Sequence, residues 1–360
     1  MLLTDLFRNV GAWLENQGAE ADVVVSSRIR LARNIAGHRF MSRASEEEQR
    51  ELAEKLTSVV EEALPGDDHT VFDLEKLEPG DRQALMERHL ISREHSEAEG
   101  ARCVVIGAGE TLSVMVNEED HLRIQAMSGG FDVDEAWARL DALDDAIEQN
   151  APYAFDGRYG YLTACPTNVG TGLRVSVMLH LPALSMTREL QRVFAAAAKI
   201  DFIVRGLYGE GTQGQGDFYQ VSNQKTLGRT EKEILDSLKV VVPQIVRYER
   251  KVRDTLFKEH RAQVEDRVWR ARGILANARM VSSDEALHLL SQLRLGINMG
   301  LIEDVDIATI NRLLIFTRPA HLQKVTGREL DERARDVARA DYLRKALAAA
   351  RPAGGPEESK

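Results

Sequence analysis

Alternating apolar and polar residues predict several strands in the N-terminal part of the chain. Residues 158–180 alternate on both sides of a short polar loop, which predicts a strand, a tight loop and a second strand. Residues 102–126 predict two strands joined at Gly107 to Gly109 and then a third strand. The basic segment 23–31 predicts a further extended run, and FIVRG and DFYQVSN predict strands on either side of a glycine-rich segment.

Apolar residues at helical spacing predict amphipathic helices between and after these strands. They are expected at residues 1–17, 45–64, about 80–92, 132–149 and from Thr187 onward. Beyond Thr230 the composition is that of long helices, with no convincing strand between residues 256 and 349. Capping boxes are predicted to open three of these helices, the first of them interrupted at Pro243, at Thr230 with Glu233, Ser282 with Glu285 and Thr326 with Glu329.

Length and pattern together predict two domains and a tail. The chain has 360 residues, of which 43% are hydrophobic, and this is ample for a sizeable core. We expect one domain over residues 1–255, an all-helical domain over 256–350 and a disordered tail over 351–360.

Charge and cysteine content exclude several classes of function. The 47 basic and 57 acidic residues give a formal net charge of -10, which argues against nonspecific binding to nucleic acids or acidic membranes. Two cysteines without metal-binding spacing predict neither a disulfide framework nor a metal site. The start lacks a basic region before an apolar run, and no apolar run is long enough to span a membrane, so we expect a cytoplasmic protein.

The loop CPTNVGTG is the first candidate for chemistry. It places Cys165 near Gly170 and Gly172, and glycines let a backbone approach a ligand closely. For the loop taken alone, a small buried cysteine in a polar turn is the simpler interpretation.

Two charged segments are candidates for binding a ligand. Arg28 and Arg30 project from one face of a predicted strand that also carries serines just before them, a mixture of donors that fits a polyphosphate. In NEEDHLRIQ, an extended backbone would place Glu119 and Arg123 on one face about 13 Å apart at ~3.3 Å per residue, suited to opposite ends of a substrate. Each pattern also fits a solvated strand face.

The glycine-rich segment contains GEGTQG, which matches a dinucleotide-binding pattern. A strand follows where that motif requires a helix, so we expect no dinucleotide site. Five glycines over 206–216 instead predict a mobile lid around Glu210. His89 and His95 lack partners in sequence and are predicted at the surface or at a helix cap rather than on a metal.

Four motifs, SSRIRLARN, NEEDHLRI, LTACPTNVGTGLR and RGLYGEG, resemble those of the ATP:guanido phosphotransferase (phosphagen kinase) family. They occur in the same order and at similar separations over residues 22–255. The resemblance implies an α+β fold, an antiparallel sheet flanked by helices as in the glutamine synthetase catalytic domain, followed here by an all-helical C-terminal domain. It also implies transfer of the γ-phosphoryl group of Mg-ATP to a guanidinium nitrogen.

The resemblance also implies roles for individual residues. Glu119 and the lid residue Glu210 would orient the acceptor guanidinium and take its proton, and Cys165 would pair with its other nitrogens as a thiolate. Met178 stands where the small-molecule kinases usually have histidine. No protein metal site is expected, because phosphate oxygens and water would hold most of the Mg²⁺. The implied ATP-binding residues are Ser26, Ser27, Arg28, Ile29, Arg30, His89, Arg123, Arg174, Val175, Ser176, Val177, Met178, Arg205, Gly206, Leu207, Tyr208, Gly209 and Glu210.

Two features resemble the protein-arginine kinase branch of this family. The first motif begins at Ser26, so the preceding domain that encloses a small acceptor is expected to be missing, leaving the acceptor side open to a polypeptide. RDVARA matches the RDxxRA phosphoarginine-binding motif of that branch, although arginines one turn apart are usually just solvated. The implied regulatory site consists of Arg335, Asp336, Arg339 and Ala340.

Other functions remain open at this point. A kinase for free arginine or another small guanidine is the main alternative, and a catalytically silent nucleotide-binding regulator is a third, disfavoured by the intact Glu119, Glu210 and Cys165. For the protein-arginine kinase branch, the resemblance implies a homodimer, arginine-containing protein substrates that include a heat-shock repressor, a zinc-binding activator and delivery of marked proteins to a Clp protease.

Overall fold

A computed structural model describes residues 9–15, 18–64, 66, 68–206 and 215–350. Its centre is an eight-stranded antiparallel sheet, and a separate pair of two-residue strands lies beside it. The strands are β1 (Val24–Arg33), β2 (His69–Asp73), β3 (Cys103–Gly107), β4 (Leu112–Val116), β5 (Leu122–Gly129), β6 (Phe155–Asp156), β7 (Gly160–Tyr161), β8 (Leu173–His180), β9 (Phe202–Gly206) and β10 (Phe218–Asn223).

Twelve α-helices are present among the described residues, together with short 3₁₀ turns. They are α1 (Glu46–Ala63), α2 (Pro79–Glu87), α3 (Arg93–Glu97), α4 (Val133–Asn150), α5 (Pro182–Met186), α6 (Leu190–Ala198), α7 (Glu231–Glu259), α8 (Arg261–Asn277), α9 (Ser283–Asn298), α10 (Ile307–Phe316), α11 (Pro319–Thr326) and α12 (Glu332–Ala349). None of them combines the length and apolar composition that a membrane span requires.

The sheet is covered by helices on one face and forms a cleft on the other. Its strand order is β2-β3-β4-β5-β1-β8-β10-β9. Because side chains alternate along a strand, Ile29, Leu31, Val175 and Val177 point to the helical side, where they join the main core with residues of α1, α4 and α7. The predicted fold class, an antiparallel sheet flanked by helices with a helical C-terminal part, is confirmed.

Two helices of the core begin with a capping box, and the one at Thr230 was predicted. Ser45 and Glu48 each bond the other's backbone N–H at the start of α1, and Thr230 and Glu233 do the same at the start of α7. The predicted interruption at Pro243 is wrong, because Pro243 lies inside α7, which is continuous over its 29 residues. Burial of the apolar side chains on both sides of Pro243 offsets the hydrogen bond that proline cannot donate.

Several predicted element boundaries need correction. The helix expected near residues 80–92 ends at Glu87, and His89 follows with a φ of 61°. The helix expected from Thr187 begins at Leu190, because Thr187 ends α5 and Arg188 has a φ of 61°. Of the helix expected over residues 1–17, only a 3₁₀ turn at Ala12–Leu14 appears, and residues 1–8 and 16–17 lie outside the described part.

The segment before the CPTNVGTG loop is not a strand of the main sheet. Only Gly160–Tyr161 is extended there, paired with Phe155–Asp156. The backbone N–H of Tyr161 donates to the carbonyl of Gly170 at 2.8 Å, and Gly160 lies so close to Gly170 that a Cβ atom would clash. The segment therefore folds back onto its own loop instead of pairing with a long strand.

From Arg261 to Ala349 the regular elements are all α-helices, and this C-terminal part has its own apolar core. Ser282 caps α9 by accepting the N–H of Glu285, which is one of the two bonds of the predicted capping box. The helix predicted to open at Thr326 is wrong: α11 ends there, Gly327 takes a φ of 66°, and Asp331 caps α12.

The helical part packs directly against the sheet. The side chains of His180 and Ser291 lie 2.9 Å apart, and Arg294 donates to the carbonyl of Ala21 at 2.7 Å. The division expected at residue 255 stays a prediction, and α7 extends across that position. The expected tail at 351–360 lies outside the described residues.

Candidate active site

The five arginines implied to hold phosphate line a single cleft of about 1150 Å³ on the side of the sheet opposite the core helices. They come from four strands, and β5, β1 and β8 are adjacent in the sheet. The cleft arginines are Arg28 and Arg30 on β1, Arg123 on β5, Arg174 on β8 and Arg205 on β9. Residues far apart in sequence thus supply one cationic surface.

Strand register explains how these side chains meet. Arg30 lies opposite Arg174, and Arg28 lies opposite Ser176 in the β1–β8 ladder. Arg28 donates to Gln220 Oε1 at 2.9 Å and to Ser176 Oγ at 3.5 Å. Gln220 lies on β10 opposite Arg205, so it spans the gap between two arginine positions. It was not predicted, because a lone polar residue in DFYQVSN carries no signal in sequence.

Four of these five arginines have no acidic partner within the described part of the chain. Among the described residues, Arg28, Arg30, Arg174 and Arg205 form no ion pair, and the Nε atoms of Arg30 and Arg174 are buried without a hydrogen-bond partner. Burial and the neighbouring Arg123 and Arg174 lower the pKa of Arg28 to about 10, and burial with Arg28 lowers the pKa of Arg30 well below its usual value. A polyanion would satisfy these charges.

Arg123 is the cleft arginine with an acidic partner in the described structure. Its Nη1 lies 2.6 Å from Glu118 Oε1, and the same carboxylate accepts from Ser92 Oγ and from the N–H of Glu119. Burial acts to raise the pKa of Glu118, but Arg123, Ser92 and the Glu119 N–H together lower it below its usual value. The sequence did not predict a role for Glu118, because the family motif places its functional carboxylate at the neighbouring Glu119.

Glu119 lies in the turn between β4 and β5, not on an extended strand as predicted. The turn exposes its side chain, which still lines the cleft. Partial burial and the charges of Asp120 and Glu118 raise the pKa of Glu119, against the opposing effect of Arg123. A carboxylate with a raised pKa is a stronger base, as proton removal from a guanidinium requires.

Cys165 lines the same cleft from the opposite loop. Its Sγ lies 3.0 Å from Thr167 Oγ1, and its carbonyl accepts from Thr163 Oγ1 at 2.7 Å. The thiol is partly accessible, unlike that of Cys103, which is buried against Thr57 with its pKa raised by burial to about 11. The two cysteines therefore lie in different environments, Cys165 at the cleft and Cys103 in the core.

A narrow recess continues from the cleft beside Arg28. It is lined by Ser26, His89, Ser176 and Met178, all of which were implied to bind ATP. Burial and the charges of Arg28, Arg318 and Arg30 lower the pKa of His89 to about 3, so its imidazole is neutral. The prediction of His89 as a surface or cap residue is replaced by a position in the wall of the site.

Some implied ATP-binding residues can contribute only their backbone. The side chains of Ile29, Val175 and Val177 belong to the core on the other face, and the Ser27 hydroxyl donates to the carbonyl of Gly130. Gly206 lines the cleft at the end of β9. Leu207, Tyr208, Gly209 and Glu210, and with them the predicted lid, lie outside the described residues.

Comparisons with known proteins identify the family. A profile for the ATP:guanido phosphotransferase C-terminal catalytic domain matches residues 51–252, and one for the protein-arginine kinase McsB C-terminal domain matches residues 261–357. A protein-arginine kinase of Halothermothrix orenii is 44% identical over 348 residues, covering 96% of this chain and 99% of the relative. The chain belongs to the ATP:guanido phosphotransferase family, among its protein-arginine kinases.

Further members of the family agree with this assignment. A protein-arginine kinase of Symbiobacterium thermophilum is 47% identical over 340 residues, covering 94% of this chain and 96% of the relative. Among solved structures, lombricine kinase matches with a TM-score of 0.57 and 29% identity over 68% of this chain and 70% of its own. The duplicated taurocyamine kinase from Schistosoma mansoni matches with a TM-score of 0.59 and 26% identity over 68% of this chain and 35% of its own. The protein is therefore an ATP-dependent phosphotransferase enzyme.

The RDVARA motif lies on α12, and none of its residues lines the cleft. Arg339 is buried, and its guanidinium donates to the carbonyls of Thr317 and Val281 and to Asp336 Oδ1, each at 2.7–2.8 Å. Ala340 is also buried, in the core of the helical part. Arg335 is partly exposed and donates to the carbonyl of Leu330. Arg339 is therefore not solvated, although arginines one turn apart on a helix usually are.

No group of three His, Cys, Asp or Glu side chains within the described ranges could hold a metal ion. His95, predicted at the surface or a cap, is buried instead, and its Nε2 lies 3.0 Å from the carbonyl of Cys103. Burial lowers the pKa of His95 to about 4, so its imidazole is neutral and packs between α3 and β3.

Proposed function

We propose that this enzyme transfers the γ-phosphoryl group of Mg-ATP to the guanidinium group of arginine residues in proteins. One observation carries the proposal: four arginines that have no acidic partner among the described residues line a cleft that also contains Glu119 and Cys165. The arginines suit the phosphates of a nucleoside triphosphate, and Glu119 suits a cationic acceptor beside it. The protein-arginine kinases that it resembles over nearly their full length support a polypeptide acceptor.

The chemistry assigns distinct tasks to the two sides of the cleft. The terminal P–O bond of ATP breaks and a P–N bond forms, with the leaving oxygen on ADP. The arginine side chains, including Arg28, Arg30 and Arg174, neutralise the phosphates, and Mg²⁺ enters with ATP on phosphate oxygens and water. Glu118 is engaged by Arg123, whereas the Glu119 side chain is exposed in the cleft and is the carboxylate that the family resemblance assigns to the acceptor.

A guanidinium has no free lone pair at neutral pH, so the acceptor must lose a proton. Glu119 takes this proton, aided by its raised pKa, and Glu210 of the predicted lid acts as its partner. Cys165 contacts the remaining nitrogens of the acceptor and does not carry the phosphoryl group. The family resemblance supports the roles of Glu210 and Cys165.

Regulation and partners form a second layer of the proposal. We propose that Arg335, Asp336, Arg339 and Ala340 form a phosphoarginine site that tunes the kinase, as the RDxxRA resemblance implies. Since Arg339 is engaged within the fold, the phosphate contact falls to the more accessible Arg335. The same resemblance supports a cytoplasmic homodimer with a zinc-binding activator, a heat-shock repressor as substrate, and a stress response in which marked proteins pass to a Clp protease.

The decisive experiment is mass spectrometry without acid treatment. An arginine-containing protein that carries no phosphoserine beforehand and, separately, free arginine are incubated with Mg-ATP and the enzyme. Phosphoarginine in the protein, absent with a Glu119→Gln variant, is the expected result. Phosphate on serine would overturn the proposal, and transfer to free arginine alone would establish the small-guanidine alternative instead.

A further inference from the structure

Arg318 lies in the helical C-terminal part, yet it lines the same cleft as Arg28, Arg30 and His89. It occupies the junction between α10 and α11, just before Pro319. We propose that Arg318 is a further nucleotide-binding residue, so that both parts of the chain build the ATP site. The inference rests on the proposed function only in taking ATP as the ligand.

A buried acid holds the helical part against this cleft. Glu87, on α2, accepts the backbone N–H groups of Ala320 and His321 at 3.0 and 3.1 Å, and His321 Nδ1 lies 2.9 Å from the same carboxylate. Glu87 therefore fixes the first turn of α11, which follows Arg318 directly. Since Glu87 is two residues before His89, this contact brings Arg318 to the wall of the cleft that His89 forms.

The backbone on the other side of Arg318 is fixed as well. The carbonyl of Thr317 accepts from Arg339 Nε at 2.8 Å, and the N–H of Arg318 donates to the carbonyl of Ile315 at 3.0 Å. Arg318 Nε donates to the carbonyl of Leu314 at 3.3 Å. A side chain with a fixed base loses less conformational entropy when it engages a ligand, so this arrangement is preorganised.

The electrostatic environment favours an anion at Arg318. The residue is partly accessible to solvent, and burial of its guanidinium lowers its pKa to about 10 despite the opposing charge of Glu87. Arg28, Arg318 and Arg30 together act on His89, so their charges converge on one point of the cleft. Phosphate oxygens at that point would accept charge-assisted hydrogen bonds from these guanidinium groups.

Affinity for nucleotide tests this inference independently of phosphoryl transfer. Calorimetry would measure the dissociation constant of Mg²⁺ with the β,γ-imido analogue of ATP for the parent, Arg318→Ala, Arg318→Lys and Arg328→Ala. Arg328 is an exposed arginine of the same helical part and serves as the matched control. We expect Arg318→Ala to weaken binding about 10-fold, the size of one charge-assisted hydrogen bond, and Arg318→Lys to weaken it less. Arg328→Ala should bind as the parent does.

The outcomes separate this inference from the proposed function. A folded Arg318→Ala variant that binds the analogue as tightly as the parent overturns the role of Arg318. If that variant does not fold, Arg318→Gln and Arg318→Lys give the same comparison, and equal affinities of the two overturn it. Failure of the parent itself to bind the analogue would contradict the proposed function instead.

Discussion

Asp120 Oδ1 accepts a hydrogen bond from the backbone N–H of Ala164 at 2.6 Å. The same oxygen accepts from Asn34 Nδ2, also at 2.6 Å, and the carboxylate is buried. Asp120 directly follows Glu119, and Ala164 directly precedes Cys165. One buried carboxylate therefore fixes the two groups that we expect to contact the acceptor.

Removing the Asp120 carboxylate should lower the turnover number strongly and should change the affinity for ATP much less. We predict that Asp120→Ala lowers kcat about 100-fold, because a misplacement of about 1 Å between reacting groups costs that much. Asp120→Asn keeps an acceptor oxygen and should lose less. Steady-state kinetics with an arginine peptide and varied ATP measure both effects. Asp306→Asn, at the exposed cap of α10, is the control, and a 100-fold rise in the KM for ATP with unchanged kcat would contradict the prediction.

The charge of Asp120 should also set the pH dependence. Glu119 must be ionised to take a proton, so kcat/KM should fall as the pH drops through the pKa of Glu119. Burial together with Asp120 and Glu118 raises this pKa, so Asp120→Asn removes one raising charge and should move the acid limb to lower pH. A pH profile of kcat/KM gives the measurement. An acid limb that stays in place or moves upward would refute the electrostatic role.

The unpaired cations of the cleft should cost stability in the free enzyme. Burial and neighbouring arginines lower the pKa of Arg30, so its charged form is less favourable in the folded state than in the unfolded state at neutral pH. Arg30→Met should therefore raise the free energy of unfolding by roughly 1 kcal/mol or more without ATP, and reduce the stabilisation that ATP gives.

Denaturation with and without Mg-ATP measures both changes for Arg30→Met. Arg158→Met, at an exposed site outside the cleft, is the matched control. Lower stability of the Arg30 variant in the absence of nucleotide would show that Arg30 supports the fold rather than the ligand.

Cys165 should assist transfer without carrying the phosphoryl group. Cys165→Ala should lower kcat about 10- to 100-fold and leave measurable activity, because it removes one contact with the acceptor and no step of the reaction. Cys103→Ala, at the buried thiol outside the cleft, is the comparison variant. Radioactive label from γ-labelled ATP recovered on Cys165 of the parent would disprove this role.

The two arginines of RDVARA should behave differently when replaced. Arg339→Ala leaves the buried carbonyls of Thr317 and Val281 unpaired and should destabilise the fold by about 3 kcal/mol. Arg335→Ala should keep the stability of the parent and lose affinity for phosphoarginine. Thermal unfolding and calorimetric titration with free phosphoarginine separate these effects. Unchanged phosphoarginine affinity of Arg335→Ala would remove the proposed regulatory site.

Sequence motifs located the cleft better than they located its supports. Arg28 and Arg30 stand two residues apart, so strand alternation alone places them on one face. Glu118, Gln220 and Arg318 have no such signal, because their positions depend on a turn, a neighbouring strand and a helix junction that are distant in sequence. Glu119 was identified although its strand assignment was wrong, since a motif match does not depend on local conformation.

The local pattern of the chain determined most of its strands, most of its helices and the residue types of a phosphate site, because period, caps and charge act over a few residues. Tertiary structure alone decided that α7 passes through Pro243, that Arg339 is buried rather than solvated, and that Arg318 reaches the cleft. The first outcome depends on the packing of α7 against the core. The other two depend on contacts with segments more than fifty residues away in sequence. The free energy of this burial and packing depends on contacts between residues distant in sequence, which a local sequence pattern does not contain.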